Sequence, residues 1–142
     1  DMERMKELMN KLEMQMRMED MAAKMDELAK KEMDLKEQTD KKQEPNAALE
    51  KKQDDIKQEL DDALKKEMKE LEELNEKMKD QQDIDKDKKL GEEAQQEMEK
   101  SSEELQQNKN SKASESQSKA AQNLQQMAKS KERRQRPICR SG

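Results

Sequence analysis

The chain has 142 residues, of which 47% are charged and 28% hydrophobic, and it contains no Phe, Tyr, Trp or His. That composition excludes a histidine base or ligand, and it excludes a core filled by aromatic rings, which bury the most area per side chain. Two readings survive: a disordered polyelectrolyte, or long helices that meet along narrow seams. Two Gly and two Pro are the only breakers, Val is missing and Thr39 is the only Thr, while Glu, Lys, Gln, Leu, Met and Ala dominate. These are helix formers, and β-branched residues are what sheets need. The expected fold class is therefore all-α, with long amphipathic helices forming an antiparallel helical hairpin or coiled coil.

In chain order, a Met-rich helix is expected over 1–37. Met14, Met18, Met21, Met25 and Leu28 are spaced 4, 3, 4, 3, and Leu35 resumes the stripe after a polar Glu32. That is a heptad seam, which keeps one narrow face towards a partner helix. Met5, Met9, Leu12 and Met16 form an earlier stripe in a different phase, read as a stutter in the supercoil. A linker follows over 38–46, where Pro45 cannot continue a helix and Asn46 suits an N-cap.

The second coiled-coil helix is expected over 47–81, with a seam of Leu60, Leu64, Glu67, Leu71, Leu74 and Met78. Alternating Asp83, Asp85 and Asp87 mark a soft break. A third helix over 82–110 carries Leu90, Ala94, Met98, Ser101 and Leu105 on one face. An Ala/Ser/Gln-rich helix over 111–130 presents Ala113, Gln117, Ala120, Leu124 and Met127 at the same 4, 3, 4, 3 spacing. Residues 131–142 lose the heptad and use Arg where the body uses Lys, as a basic disordered tail would. The net charge of −5 hides this asymmetry: residues 1–110 hold 23 Lys and Arg against 34 Asp and Glu, and residues 111–142 hold 8 against 2. A basic end on an acidic body suits end-to-body attraction or an acidic partner; a solvated tail is the plainer reading.

The partner-binding seam assigned from these stripes consists of Met14, Met18, Met21, Met25, Leu28, Leu60, Leu64, Leu71, Leu74 and Met78. Its partners would be other proteins or further copies of the chain. A narrow seam of this kind is marginally stable unless more helices pack on it.

Several stretches between about Lys24 and Lys129 carry a resemblance. They are Glu70-Leu71-Glu72-Glu73-Leu74-Asn75-Glu76-Lys77, then Glu103-Glu104-Leu105-Gln106-Gln107-Asn108-Lys109-Asn110, and above all Lys112-Ala113-Ser114-Glu115-Ser116-Gln117-Ser118-Lys119-Ala120-Ala121-Gln122. The last resembles the recurring K-A-S-x-S-Q-x-x-A-A segment of large, membrane-anchored coiled-coil proteins of Bacteroidota-type bacteria, a family of unknown function. The resemblance covers about three quarters of the chain. It implies membrane spans upstream, a coiled coil projecting from the periplasmic face of the inner membrane in the cell envelope, and no catalytic residues to carry over. The cytoplasm is the alternative location. Asp1-Met2 begins in mid-pattern, so the chain reads as an internal fragment, and no stretch of it is apolar enough to span a membrane.

Candidate chemistry is weak by comparison. Met14, Met16, Met18 and Met21 invite soft-metal binding, yet on a helix Met14 and Met18 share a face that Met16 does not. Nine of the 13 Met lie in residues 1–33 at seam-like spacing, which favours packing, with a malleable client-binding face as the second reading. Asp54-Asp55, Asp61-Asp62 and Glu72-Glu73 lack the pocket that tunes a catalytic carboxylate. Asp83 to Lys88 has Lys where a calcium loop needs Gly. Cys139 is alone, so no disulfide forms within the chain. Nucleic-acid binding would rest on Arg133, Arg134, Arg136 and Arg140 alone, with no aromatic platform and an acidic body, and is not expected. No cofactor, metal or enzyme activity is expected. The function expected is a structural or scaffold coiled-coil segment of a larger envelope protein, or alternatively a Met-rich helical module that binds hydrophobic partner helices or clients as a chaperone would.

Overall fold

Four helical rods pack together around one core in the computed structural model, which describes the backbone of residues 1–140 and the side chains of residues 1–130. The elements are α1 (Met2–Lys41), α2 (Asn46–Ala63), a π-helical turn (Leu64–Met68), α3 (Lys69–Lys77), α4 (Asp85–Gln106) and α5 (Asn110–Arg140). The backbone stays in the right-handed helical region from Ala63 through Lys69, so α2, the π turn and α3 make one continuous rod. No strand occurs among the described residues. The basic tail expected over 131–142 lies outside the described side chains; the bound of α5, beyond the expected end at 130, is the one feature that bears on it.

Each rod touches the next in the chain, and the last returns to the first: α1 packs on α2, α2 on α4, α4 on α5 and α5 on α1. Side-chain pairs show how neighbours run. Along α1 and its return rod, Lys31 meets Glu59 and Arg17 meets Glu70. Along α2 and α4, Asp54 accepts from Ser102 and Asp61 from Gln95. Along α4 and α5, Ser116 donates to Glu104 and Ser130 to Asp87. In every case numbers rise on one rod as they fall on its neighbour, the order that short connections impose.

The core belongs to Met, Leu and Ala. Met25, Leu28, Leu49, Leu60, Met98, Leu105 and Leu124 are all fully buried. The core is thus filled without aromatic rings, and more completely than the narrow seams of a single hairpin would allow. Four seams facing a common axis enclose what two would leave half open, and flexible Met fills irregular space. Where α4 meets α5 the seam is small and polar, with Ala113, Ala120 and Ala121 buried beside Ser101, Ser114, Ser116 and Gln117. Gly91 serves the same closeness against the π turn, since a Cβ there would stand 2.8 Å from Leu64 Cδ2.

Element ends depart from expectation in ways that have physical causes. The first helix continues to Lys41 because nothing before Pro45 breaks it, and it stops at Lys42 in the left-handed region (φ 49°), whose N–H returns to Gln38 and Thr39 carbonyls. Asn46 does not cap its own helix; Pro45 holds that position. The Asn46 side chain instead donates to the Leu105 carbonyl at 3.0 Å and to Asn108 and Asn110, tying the start of α2 to the α4–α5 turn. The second rod ends at Lys77, before the expected 81, with Met78 extended. Asn75 stabilises the connection by exchanging two 2.8 Å hydrogen bonds with the Gln82 backbone. The π turn shifts the seam expected through Glu67. Its extra residue leaves Glu67 exposed and buries Met68, so no charge enters the core there.

Candidate functional site

The sequence-assigned seam lies inside the molecule. Met14, Met21, Met25, Leu28, Leu60, Leu71, Leu74 and Met78 are buried, and Met18 and Leu64 are partly buried against the same core. These residues are thus brought together, but by the chain's own four rods, and they offer no free face to another protein.

The exposed apolar surface lies elsewhere. Met2, Met5, Leu8, Met9, Leu12 and Met16 are each 57% to 77% exposed, and of the large hydrophobic residues described as exposed only Met33 lies outside this group. Helix geometry explains why. At about 100° per residue, Met14 and Met16 stand about 160° apart around α1. Met14 is 2% exposed and faces the core, so Met16 and the stripe in line with it face away. The stripe, which the sequence shows as a seam in a different phase, is a second face of the same helix rather than a stutter in one seam.

Among the described side chains, contacts to α3 and the connection after it hold this end of α1. Glu7 accepts from the Lys79 backbone N–H at 3.2 Å, and Lys11 stands 3.6 Å from Asp80. Arg17 bridges Glu13 and Glu70, and these two carboxylates raise its pKa, that of Glu70 foremost. Asp1 caps the helix by accepting from the Glu3 N–H at 3.0 Å. The outward face is therefore presented on a capped, tethered helix.

One buried ionisable group stands out. Glu32 occupies the polar position in the α1 seam and is fully buried, accepting a 2.7 Å hydrogen bond from Gln53 Nε2. Burial pushes its pKa up to about 8, against a smaller lowering by that bond. Its Oε2 and the Gln53 Oε1 have no hydrogen-bond partner. With a single hydrogen bond to a fully buried carboxyl, the neutral acid suits this site better than the carboxylate, which would carry an unpaired buried charge.

Among the described residues, no group of three or more acidic or cysteine side chains is placed to hold a metal ion. No helix among them is long and apolar enough to cross a membrane. No protein-family model, curated protein or solved structure matches the chain.

Proposed function

We propose that the protein is a non-enzymatic structural or scaffold segment, a helical bundle that meets protein partners along heptad-spaced helix faces in the manner of a coiled coil. The observation that carries this reading is the outward stripe from Met2 to Met16, an apolar face left uncovered by a bundle that buries its other stripes. Large contiguous exposed apolar patches mark interaction sites, and this stripe gathers six side chains that are each more than half exposed. The hairpin and coiled-coil reading is supported by the 4, 3 spacing of the buried positions and by the order in which neighbouring rods meet. A place on the periplasmic face of the inner membrane, within a larger membrane-anchored protein, rests on the resemblance of the Lys112–Gln122 segment; the alternative is the cytoplasm.

The Met content of the stripe favours a second reading, a malleable face for hydrophobic helices or clients of varied shape. Met adapts to different partners because it is unbranched and polarizable. Methyl NMR with labelled methionine separates these readings from no function at this face. On adding an amphipathic peptide with Leu at heptad positions, or on raising protein concentration, the signals of Met5, Met9 and Met16 shift while Met25 and Met98 stay. Indifference of the outward methyls to both additions would refute the interaction reading.

A further inference from the structure

The uncovered stripe specifies its own partner. We infer that it seats on the same stripe of a second copy of this chain, running in the opposite direction, with Met9 of each copy opposite Leu12 of the other. This rests on the partner-binding reading above and adds the occupant and its register.

The spacing sets the geometry. Met2, Met5, Met9, Leu12 and Met16 are separated by 3, 4, 3 and 4 residues, an uninterrupted a/d pattern about 21 Å long. In an antiparallel pair an a position packs against a d position of the other helix. Placing Met9 against Leu12 also sets Met5 against Met16, so four consecutive apolar layers form, with Met2 outside them at the helix end, opposite Glu19 of the other copy. Leu8 widens the stripe on one edge.

Charge then chooses the direction. On the other edge, next to the stripe, stand Lys6 and Glu13, seven residues apart and therefore at equivalent heptad positions. Two antiparallel copies bring Lys6 of each against Glu13 of the other, an attraction made twice by symmetry, and set Leu8 against the uncharged Gln15. Two parallel copies would set Leu8 against Glu13 and leave a carboxylate facing an apolar side chain. Charged residues beside a coiled-coil seam set partner and orientation in this way. The face points away from Met14 and the core, and the Glu7 and Lys11 tethers on the inner side stay untouched by dimerisation. Glu13 is shared, since Arg17 of its own helix also lies 3.4 Å from it while keeping Glu70 as a second partner.

Sedimentation equilibrium of the intact chain across about a hundredfold range of concentration tests this directly, because the state of a reversible dimer depends on protomer concentration. A monomer–dimer equilibrium is expected. Met9→Lys should raise the dissociation constant at least about tenfold, since it buries a charge in the seam, and should leave circular dichroism unchanged because position 9 is 68% exposed in the single chain. Lys6→Glu and Glu13→Lys should each weaken the dimer on the order of threefold, and the double variant should restore it. A dimer indifferent to Met9→Lys, or a double variant as weak as Lys6→Glu alone, would overturn the proposal. A chain that stays monomeric also overturns it; if its outward methyls then respond to the Leu-heptad peptide, only self-pairing has failed and partner binding stands.

Discussion

Two stretches of α1 are written in the same alphabet and end up on opposite sides of the fold. Residues 2–16 and residues 14–35 both place Met and Leu at heptad spacing between Lys and Glu. In the second stretch Met25 and Leu28 have no exposed surface, while in the first Met9 and Leu12 keep 68% and 59%. Nothing in the local pattern separates them. The difference is what lies opposite: α2, α3 and α5 flank the inner face of α1, and the phase of the first stripe turns it away from all of them. A heptad stripe thus states that a helix face is to be covered, and the tertiary arrangement decides whether the chain itself covers it.

The sharpest way to break this contrast is to truncate one Leu in each stretch. Leu28→Ala removes a fully buried side chain and should cost about 2–5 kcal/mol in urea unfolding, because a cavity adds to the lost burial. Leu12→Ala, measured at low protein concentration, should cost under about 0.5 kcal/mol, as surface substitutions do. Equal losses would mean that the outward face is already covered within a single chain.

A change at Glu32 sharpens the inner half of the comparison. The buried carboxyl has a folded pKa of about 8, above its ordinary value near 4.5, so the folded state holds a proton that the unfolded state has released between these values. Stability from this group is fully present below pH 4.5 and is lost as pH rises towards 8. Glu32→Gln keeps the shape and an oxygen to accept from Gln53 Nε2, and removes the charge. It should stabilise the bundle by about 2–4 kcal/mol at pH 9 and by little at pH 4.5. Urea midpoints across that range test it, and a parallel pH profile for both proteins would show that Glu32 is charged in the fold.

Smaller effects divide the two stretches chemically. Under mild peroxide, Met2, Met5, Met9 and Met16 should convert to sulfoxide well before Met25 and Met98, since oxidation follows exposure. Peptide mass spectrometry reads the order, and uniform conversion would contradict the burial pattern. Smallest of all, Glu37→Ala breaks an exposed pair in which Lys41 donates at 3.1 Å, and should shift stability by about 0.3–0.5 kcal/mol.

Much of the fold was legible because one spacing rule applies along the chain. Leu90, Ala94, Met98, Ser101 and Leu105 are all buried as their spacing predicts, as are Ala113, Gln117, Ala120, Leu124 and Met127. Each break falls within a few residues of its expected place. Three things were not legible. The bundling of four rods depends on which faces meet, and heptads alone do not carry that information. The π turn arises because Met68, one place beyond the seam position at Glu67, is the residue that burial favours. Asn46 reads as a cap from its neighbours in sequence, but its partners Leu105, Asn108 and Asn110 lie about sixty residues away. The exposed stripe was visible as a change of phase; that it marks a second face follows only once Met14 is seen to point inward.

The asparagine cluster joining Asn46, Asn108 and Asn110 closes one end of the bundle, and that has a mechanical consequence. At the opposite end, Met18 of the first rod and Ser130 of the last border one space together with Asp87. The first and last rods therefore lie side by side with their outer portions at the same end, away from the asparagines. Tension applied through that end would part α1 from α5 one rung at a time, as a zipper opens, instead of shearing all rungs at once. The Asn46 hydrogen bonds to Leu105, Asn108 and Asn110 lie at the far end and would be loaded last.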